Sequence, residues 1–287
     1  SDLNFSELFL SGMDLSNANL EGANLRETSL YGTNLTNSNL SNATLFEVDL
    51  SSAILDGATL EGSDLTDSDI QEASLKNTNL SGASLRNVVL TGSQLTGARF
   101  DKAKLYDIKL FGTNLTNASF KETIMYAADL QGAVLKNVDL SYAYLEAADL
   151  QSANFSDAIL VKTNLTNAII SRTIFDNANL SAAKLINVIA YETSFKNATL
   201  ARADLTKGNF LQSNFSNANL QGAILKDAML GSVNFVSTIL SNAYLDGADL
   251  RSTNMQRARL NGANIDHANL YETNLIQANL VGASFVR

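Results

Sequence analysis

The sequence predicts an all-β solenoid in which each coil has four short sides, and three regularities carry that prediction. The first is a five-residue register: every residue whose number is a multiple of five, from Phe5 to Phe285, is apolar, through 57 consecutive pentads. We call this residue the centre; it is Leu at 41 positions. Two residues before it stands a small side chain, usually Ala, Ser or Thr. A period of five matches neither the 3.6 of a helix nor the 2 of a strand, so either element would scatter the centres around its surface. If each pentad forms one side of a square and then turns a corner, the centre and the small residue both face inward on every side. Four pentads then close one coil.

The second regularity is the twenty-residue spacing of Phe155, Phe175, Phe195, Phe215 and Phe235, which stacks their rings on one side of successive coils. The third is the placement of glycine. Of 16 glycines, all but Gly208 and Gly231 fall two residues after a centre, where Asn is the other frequent occupant, as at Asn17, Asn37, Asn77 and Asn217. Both residues tolerate the positive φ that the third position of a type II turn requires. Pro is absent, as expected where coils stacked about 4.8 Å apart need nearly every backbone N–H as a donor.

Along the chain, the elements follow from these rules. Residues 1–15 carry Leu3, Leu8 and Met13 where small residues are the norm, and are expected to plug the first coil as a cap. The one small centre, Ala190, has bulky Val188 beside it, while Phe210 one coil later has Gly208; large beside small keeps a fixed cross-section filled. The repeat runs unchanged to Ala283 and Phe285, so the last coil is expected to offer strand edges and an apolar floor. Either a monomer or an end-to-end homodimer through that coil fits. A solenoid needs only neighbour contacts, so 1–287 is read as one domain of about fourteen coils, a rod on the order of 65–70 Å long.

The pattern Ala18-Asn19-Leu20-Glu21-Gly22, Ala23-Asn24-Leu25-Arg26-Glu27 resembles the pentapeptide-repeat family, whose motif is Ala-(Asp/Asn)-Leu-X-X. The resemblance spans essentially the whole chain and implies a right-handed quadrilateral parallel β-helix. Members of that family include Qnr-like and MfpA-like proteins, which act on DNA gyrase by resembling DNA, and regulators that bind other proteins.

Charge divides unevenly. Residues 1–75 hold 13 Asp or Glu against Arg26 alone, while residues 76–287 hold 16 against 19 Lys or Arg. Glu7, Glu27, Glu47 and Asp67 lie twenty apart, which stacks four carboxylates on one corner, with Asp49 and Asp69 projecting from the adjoining side. Aligned like charges cost stability. Three readings of this stripe stand side by side: a solvated face, a nucleic-acid mimic that occupies a basic groove, and a hard-cation site. A second feature is apolar: Tyr106, Ile124, Tyr126, Tyr142 and Tyr144 come from successive coils and fall on one face or its corners. Exposed Tyr is enriched at binding hot spots, so this face is a candidate protein contact.

Signs of chemistry are missing. There is no Cys, no phosphate-binding Gly loop and no HExxH, and His267 is expected to be a surface histidine at a corner. The Asn-X-Ser/Thr matches arise from the repeat. We expect no enzyme and no cofactor. With no apolar run of membrane-spanning length and no signal peptide, no membrane partner and a cytoplasmic location are expected. The favoured function is a rigid scaffold or regulatory module that binds a protein, with no direct nucleic-acid binding; the alternative is a DNA mimic acting on gyrase or topoisomerase.

Overall fold

The computed structural model describes residues 3–286 and divides into two compact units, Ser1–Tyr144 and Leu145–Arg287. In each unit the chain winds as a quadrilateral parallel β-helix. Every bridge is parallel and joins residue i to i+20, at the position just before a centre. Asn4 to Asn24, Phe9 to Ser29, Asp14 to Asn34 and Asn19 to Asn39 mark the four sides of the first coil. A side is so short that each strand is reduced to a single bridge between turns.

Two backbone donors per pentad tie each coil to the next. The N–H of Leu25 donates to the Thr44 carbonyl at 2.8 Å, and that of Glu27 to the Phe46 carbonyl at 3.0 Å. The turn closes when Thr28 N–H donates back to the Leu25 carbonyl at 3.2 Å. Asn or Asp before a centre has a local reason as well. Its Oδ1 accepts the amide two residues on, as Asn34 does from Thr36 at 3.1 Å and Asp204 from Thr206 at 3.0 Å, which pre-forms the corner.

Each third turn residue from Glu7 to Gly282 has positive φ, as expected for Gly and Asn. More than half, however, are neither: Lys102, Ala127, Tyr142, Arg172 and His267 among them, with φ of 54–62°. A residue with a Cβ gives up roughly 1–2 kcal/mol in this region. The ladder bond made by that residue's own amide and the burial of both flanking pentads offset the strain.

The centres from Leu25 to Leu260 are essentially inaccessible. At the small position, Ser and Thr are buried like Ala because, Thr113 apart, their hydroxyls donate to a centre carbonyl, either that of the preceding coil or, as at Ser38, Ser63 and Thr253, that of their own turn. Thr33 reaches Leu10, Thr78 reaches Leu55 and Thr173 reaches Leu150, at 2.7–2.9 Å. In the second unit, Phe155, Phe175, Phe195, Phe215 and Phe235 stack as expected, with ring centroids 4.5–5.3 Å apart. The volume exchange also holds: Phe210 turns its edge to Phe195 and Phe215, and its ring fills the space a Cβ on Gly208 would need. Gly231 is irregular for a related reason, since Leu211 Cδ2 lies 2.9 Å from its absent Cβ.

Leu3, Leu8 and Met13 occupy the expected positions but are 39–47% exposed, so they cover the first coil only in part. Residues 1 and 2 of the expected cap lie outside the described residues. In the last coil Leu270, Leu275 and Leu280 are half-buried and Phe285 is exposed; Arg287 lies outside the described residues.

Candidate protein-binding corner

One corner of the first unit gathers the two features that the sequence presents separately. It follows the side that runs from Asn4 to Tyr144, on which Lys104 bridges Ile124 and Ile124 bridges Tyr144. The second residue of each turn on this corner is Arg26, Phe46, Tyr106 or Tyr126, among others. The third is Glu7, Glu27, Glu47, Asp67, Asn87, Asp107 or Ala127. Backbone bonds prove the stacking: Glu7 donates to Arg26, Glu27 to Phe46, Asp67 to Arg86 and Asp107 to Tyr126. The register fixes their alignment because twenty residues return the chain to the same corner.

Glu7, Glu27, Glu47 and Asp67 are exposed there, as a ladder on the corner requires. Arg26 lies between them, with Nε 2.9 Å from Glu27 Oε1 and its guanidinium 4.4 Å above the Phe46 ring. Asn87 Nδ2 donates to Asp67 Oδ1 at 2.8 Å. Asp49 and Asp69 bridge each other on the adjoining side but are half-buried and locally engaged. Asp49 accepts the Ser51 amide at 3.0 Å; Asp69 accepts the Gln71 amide at 3.0 Å and its Nε2 at 2.9 Å. Their carboxylates serve the turns.

Of the apolar group, Tyr106 and Tyr126 share the acidic corner, 37% and 50% exposed. Ile124 and Tyr144 lie on the side just before it, Ile124 half-buried and Tyr144 53% exposed. Tyr142 stands at the far edge of that side, on the preceding corner, in the left-handed conformation. The sequence reading missed two members, Asp107 and the Arg26–Phe46 pair. Asp107 follows Asp67 by two coils, and Asn87 between them hides the continuity from a search for unbroken acidic spacing.

Among the described residues, no group of His, Asp or Glu is arranged to hold a metal ion, and no helix is long and apolar enough to cross a membrane. His267 is a surface residue, as expected, with Nδ1 2.9 Å from Asp246 Oδ1. The grooves are shallow and follow corners. One in the first unit holds Glu61, Gly62, Gly82, Arg99, Asp101 and Lys102; one in the second holds Lys162, Ala182, Arg202, Gly222 and Tyr244.

A chain built only of stacked pentads, presenting sides and corners to solvent, is a repeat solenoid. It belongs to the pentapeptide-repeat family: the family model of pentapeptide repeats matches residues 4–187, 193–266 and 268–287. The coil is accordingly a right-handed quadrilateral β-helix. HetL, a pentapeptide repeat protein involved in heterocyst differentiation regulation in the cyanobacterium Nostoc, is 30% identical, over 75% of this chain and 88% of its own, with a TM-score of 0.61. A pentapeptide repeat protein of the Arabidopsis thaliana thylakoid lumen is 32% identical over 34% of this chain and 68% of its own, with a TM-score of 0.34. QnrB1, a plasmid-mediated fluoroquinolone resistance protein, is 14% identical over 63% of this chain and 91% of its own, with a TM-score of 0.31. No curated protein sequence matches the chain.

Proposed function

We propose that the chain is a non-catalytic, regulatory protein-binding module whose contact surface is the Glu7–Tyr126 corner of the first unit and whose partner presents a cationic face. The observation that carries this reading is the union on one corner of exposed carboxylates with Tyr106 and Tyr126. Tyr supplies rigid, amphipathic contact area, and the carboxylates steer a cationic partner and set its register. The likeness to HetL, a protein of regulation, supports the same class.

The alternative, a DNA mimic that acts on gyrase or topoisomerase, draws on the ladder from Glu7 to Asp67. It has less support. The corner offers a single line of charge, Glu27 is paired with Arg26, and Asn87 breaks the line.

Affinity capture with the intact chain tests both. A specific partner should be lost from the pair Tyr106→Ser and Tyr126→Ser, and from the triple change of Glu27, Glu47 and Asp67 to Gln, with salt weakening capture by the native chain. Capture unchanged in both variants would sink the corner as the site. Capture of a gyrase subunit, with inhibition of supercoiling that the Gln variant loses, would install the alternative.

A further inference from the structure

Among the described residues of the first unit, the inter-coil ladder is continuous except at one place. The amides of Asn87, Gly92 and Leu95 make no bond to the coil above, and that of Asn114 makes none to the coil below, so the bridge between Gln94 and Asn114 is missing. Val89 still bridges Lys109, but the Leu90 and Lys109 amides that make this bridge lie beyond ordinary hydrogen-bond geometry. The equivalent donors one coil earlier are all paired: Asp67, Ile70, Glu72 and Leu75 reach Arg86, Val89, Thr91 and Gln94 at 2.8–3.0 Å. Along the same seam Thr113 Oγ1 is the one buried side-chain polar atom without a partner among the described residues. By the rule that Thr123 follows in reaching Phe100, the Thr113 hydroxyl belongs on the Leu90 carbonyl. The second unit has no such gap among its described residues.

A packing cause sits at the centre of the gap. Val88 and Ile108 both occupy the small position, one directly above the other, and both are buried. Nowhere else among the buried small positions do two side chains larger than Thr follow each other in successive coils. Val48 is followed by Ser68, Val188 by Gly208, Val233 by Thr253. Excess volume in a close-packed column forces backbone apart. Here the shift falls on the ladder.

We propose that the seam between residues 87–95 and 106–114 is a hinge, prised open by the Val88–Ile108 pair, at which the first unit yields. Asp67 and Asn87 stand on one side of it, and Tyr106 and Asp107 on the other. The hinge therefore divides the acidic part of the corner from its aromatic part and lets their spacing adjust to a partner. That last consequence rests on the binding corner proposed above. The hinge itself does not, and its test is separate.

Residue-resolved hydrogen exchange on the native chain is the direct measurement. The seam amides of Gly92, Leu95 and Asn114 should exchange at least about tenfold faster than those of Ile70, Glu72 and Leu75, because local opening needs no ladder bond to break. Ile108→Ala should slow them towards their neighbours and hold or raise the melting temperature, although a large-to-small change in a core normally lowers it. Val88→Ala relieves the same column from the coil below and should do likewise, which keeps the test open if one variant folds poorly. Val48→Ala, with no large neighbour above or below, should lower the melting temperature. Equal protection on both sides of the seam in the native chain would overturn the hinge. Fast exchange persisting in both Ala variants would overturn the overpacking that is held to cause it.

Discussion

Asn37 Oδ1 lies 2.5 Å from the point where a Cβ on Gly57, one coil later on the same corner, would stand. The pairing recurs, with Asn42 under Gly62 at 2.8 Å and Asp227 under Gly247 at 2.5 Å. Glycine at these corners therefore answers two demands. It takes the left-handed φ, and it leaves room for the side chain that leans over from the coil below. At Gly32 only the first demand exists, since nothing stands within 4 Å of its missing Cβ.

Gly57→Ala should accordingly destabilise more than Gly32→Ala, for which the left-handed backbone alone costs roughly 1 kcal/mol. Adding Asn37→Ala to Gly57→Ala should recover the difference, a coupling that a double-mutant cycle of thermal melts would measure. If the two Ala variants melt alike, the close approach carries no energy.

The reverse substitution should stabilise. Ala182 holds a φ of 56° without the side-chain amide of Asn or the freedom of Gly. Ala182→Gly removes the Cβ strain and adds some unfolded-state entropy, for a net gain of about 0.5–1 kcal/mol. The melting temperature is the readout.

Two buried threonines in the first unit should respond oppositely to the same change. Thr123 Oγ1 donates to the Phe100 carbonyl at 2.8 Å, so Thr123→Val should cost about 1 kcal/mol by removing that bond, the carbonyl keeping only the Ala103 amide at 2.9 Å. Thr113 Oγ1 has no partner, so Thr113→Val exchanges an unmet hydroxyl for a methyl and should be neutral or stabilising. Denaturation of the pair under identical conditions separates them.

Stability should fall on the acid side and stay level through neutral pH. Hydrogen bonds from Ser16 hold Asp14 below the usual carboxylate range, Arg251 does so for Asp249, and the Ser284 hydroxyl for Asp266. At Asp139 burial pushes upward, but Ser141 and Lys121 outweigh it and the net shift is also downward. A carboxyl depressed in the folded state contributes stability above its unfolded value, and that contribution is lost as pH falls through the folded one. The loss should begin near about pH 4. Lys121 is raised by its bond to Asp139 and Arg251 by its bond to Asp249, so their contributions are full through neutral pH and are lost only at alkaline pH, that of Lys121 as pH rises above its ordinary 10.5. These groups lie near the surface, so the slope should be shallow and weaken with salt. A melting temperature that drops between pH 6 and 8 would contradict this.

The sequence alone determined the four-sided coil, the inward centres, the stacked phenyl rings from Phe155 to Phe235 and the exchange of volume between Ala190 and Phe210. Period and side-chain size are properties of the string of residues, and in a solenoid a fixed period is already a map of which residues stack. Placement of the candidate residues was equally legible, since Glu27, Tyr106 and Tyr126 follow from counting by twenty. Only the tertiary structure decided what occupies the space between stacked residues. It showed Lys102, Tyr142 and Arg172 accepting a left-handed backbone, Asp49 and Asp69 spent on their own turns, Asn37 leaning over Gly57, and Val88 under Ile108 parting the ladder. Each depends on tenths of an ångström in the distance between coils. That distance is a compromise between backbone hydrogen bonds and the packing of all four sides, and no single stretch of sequence sets it.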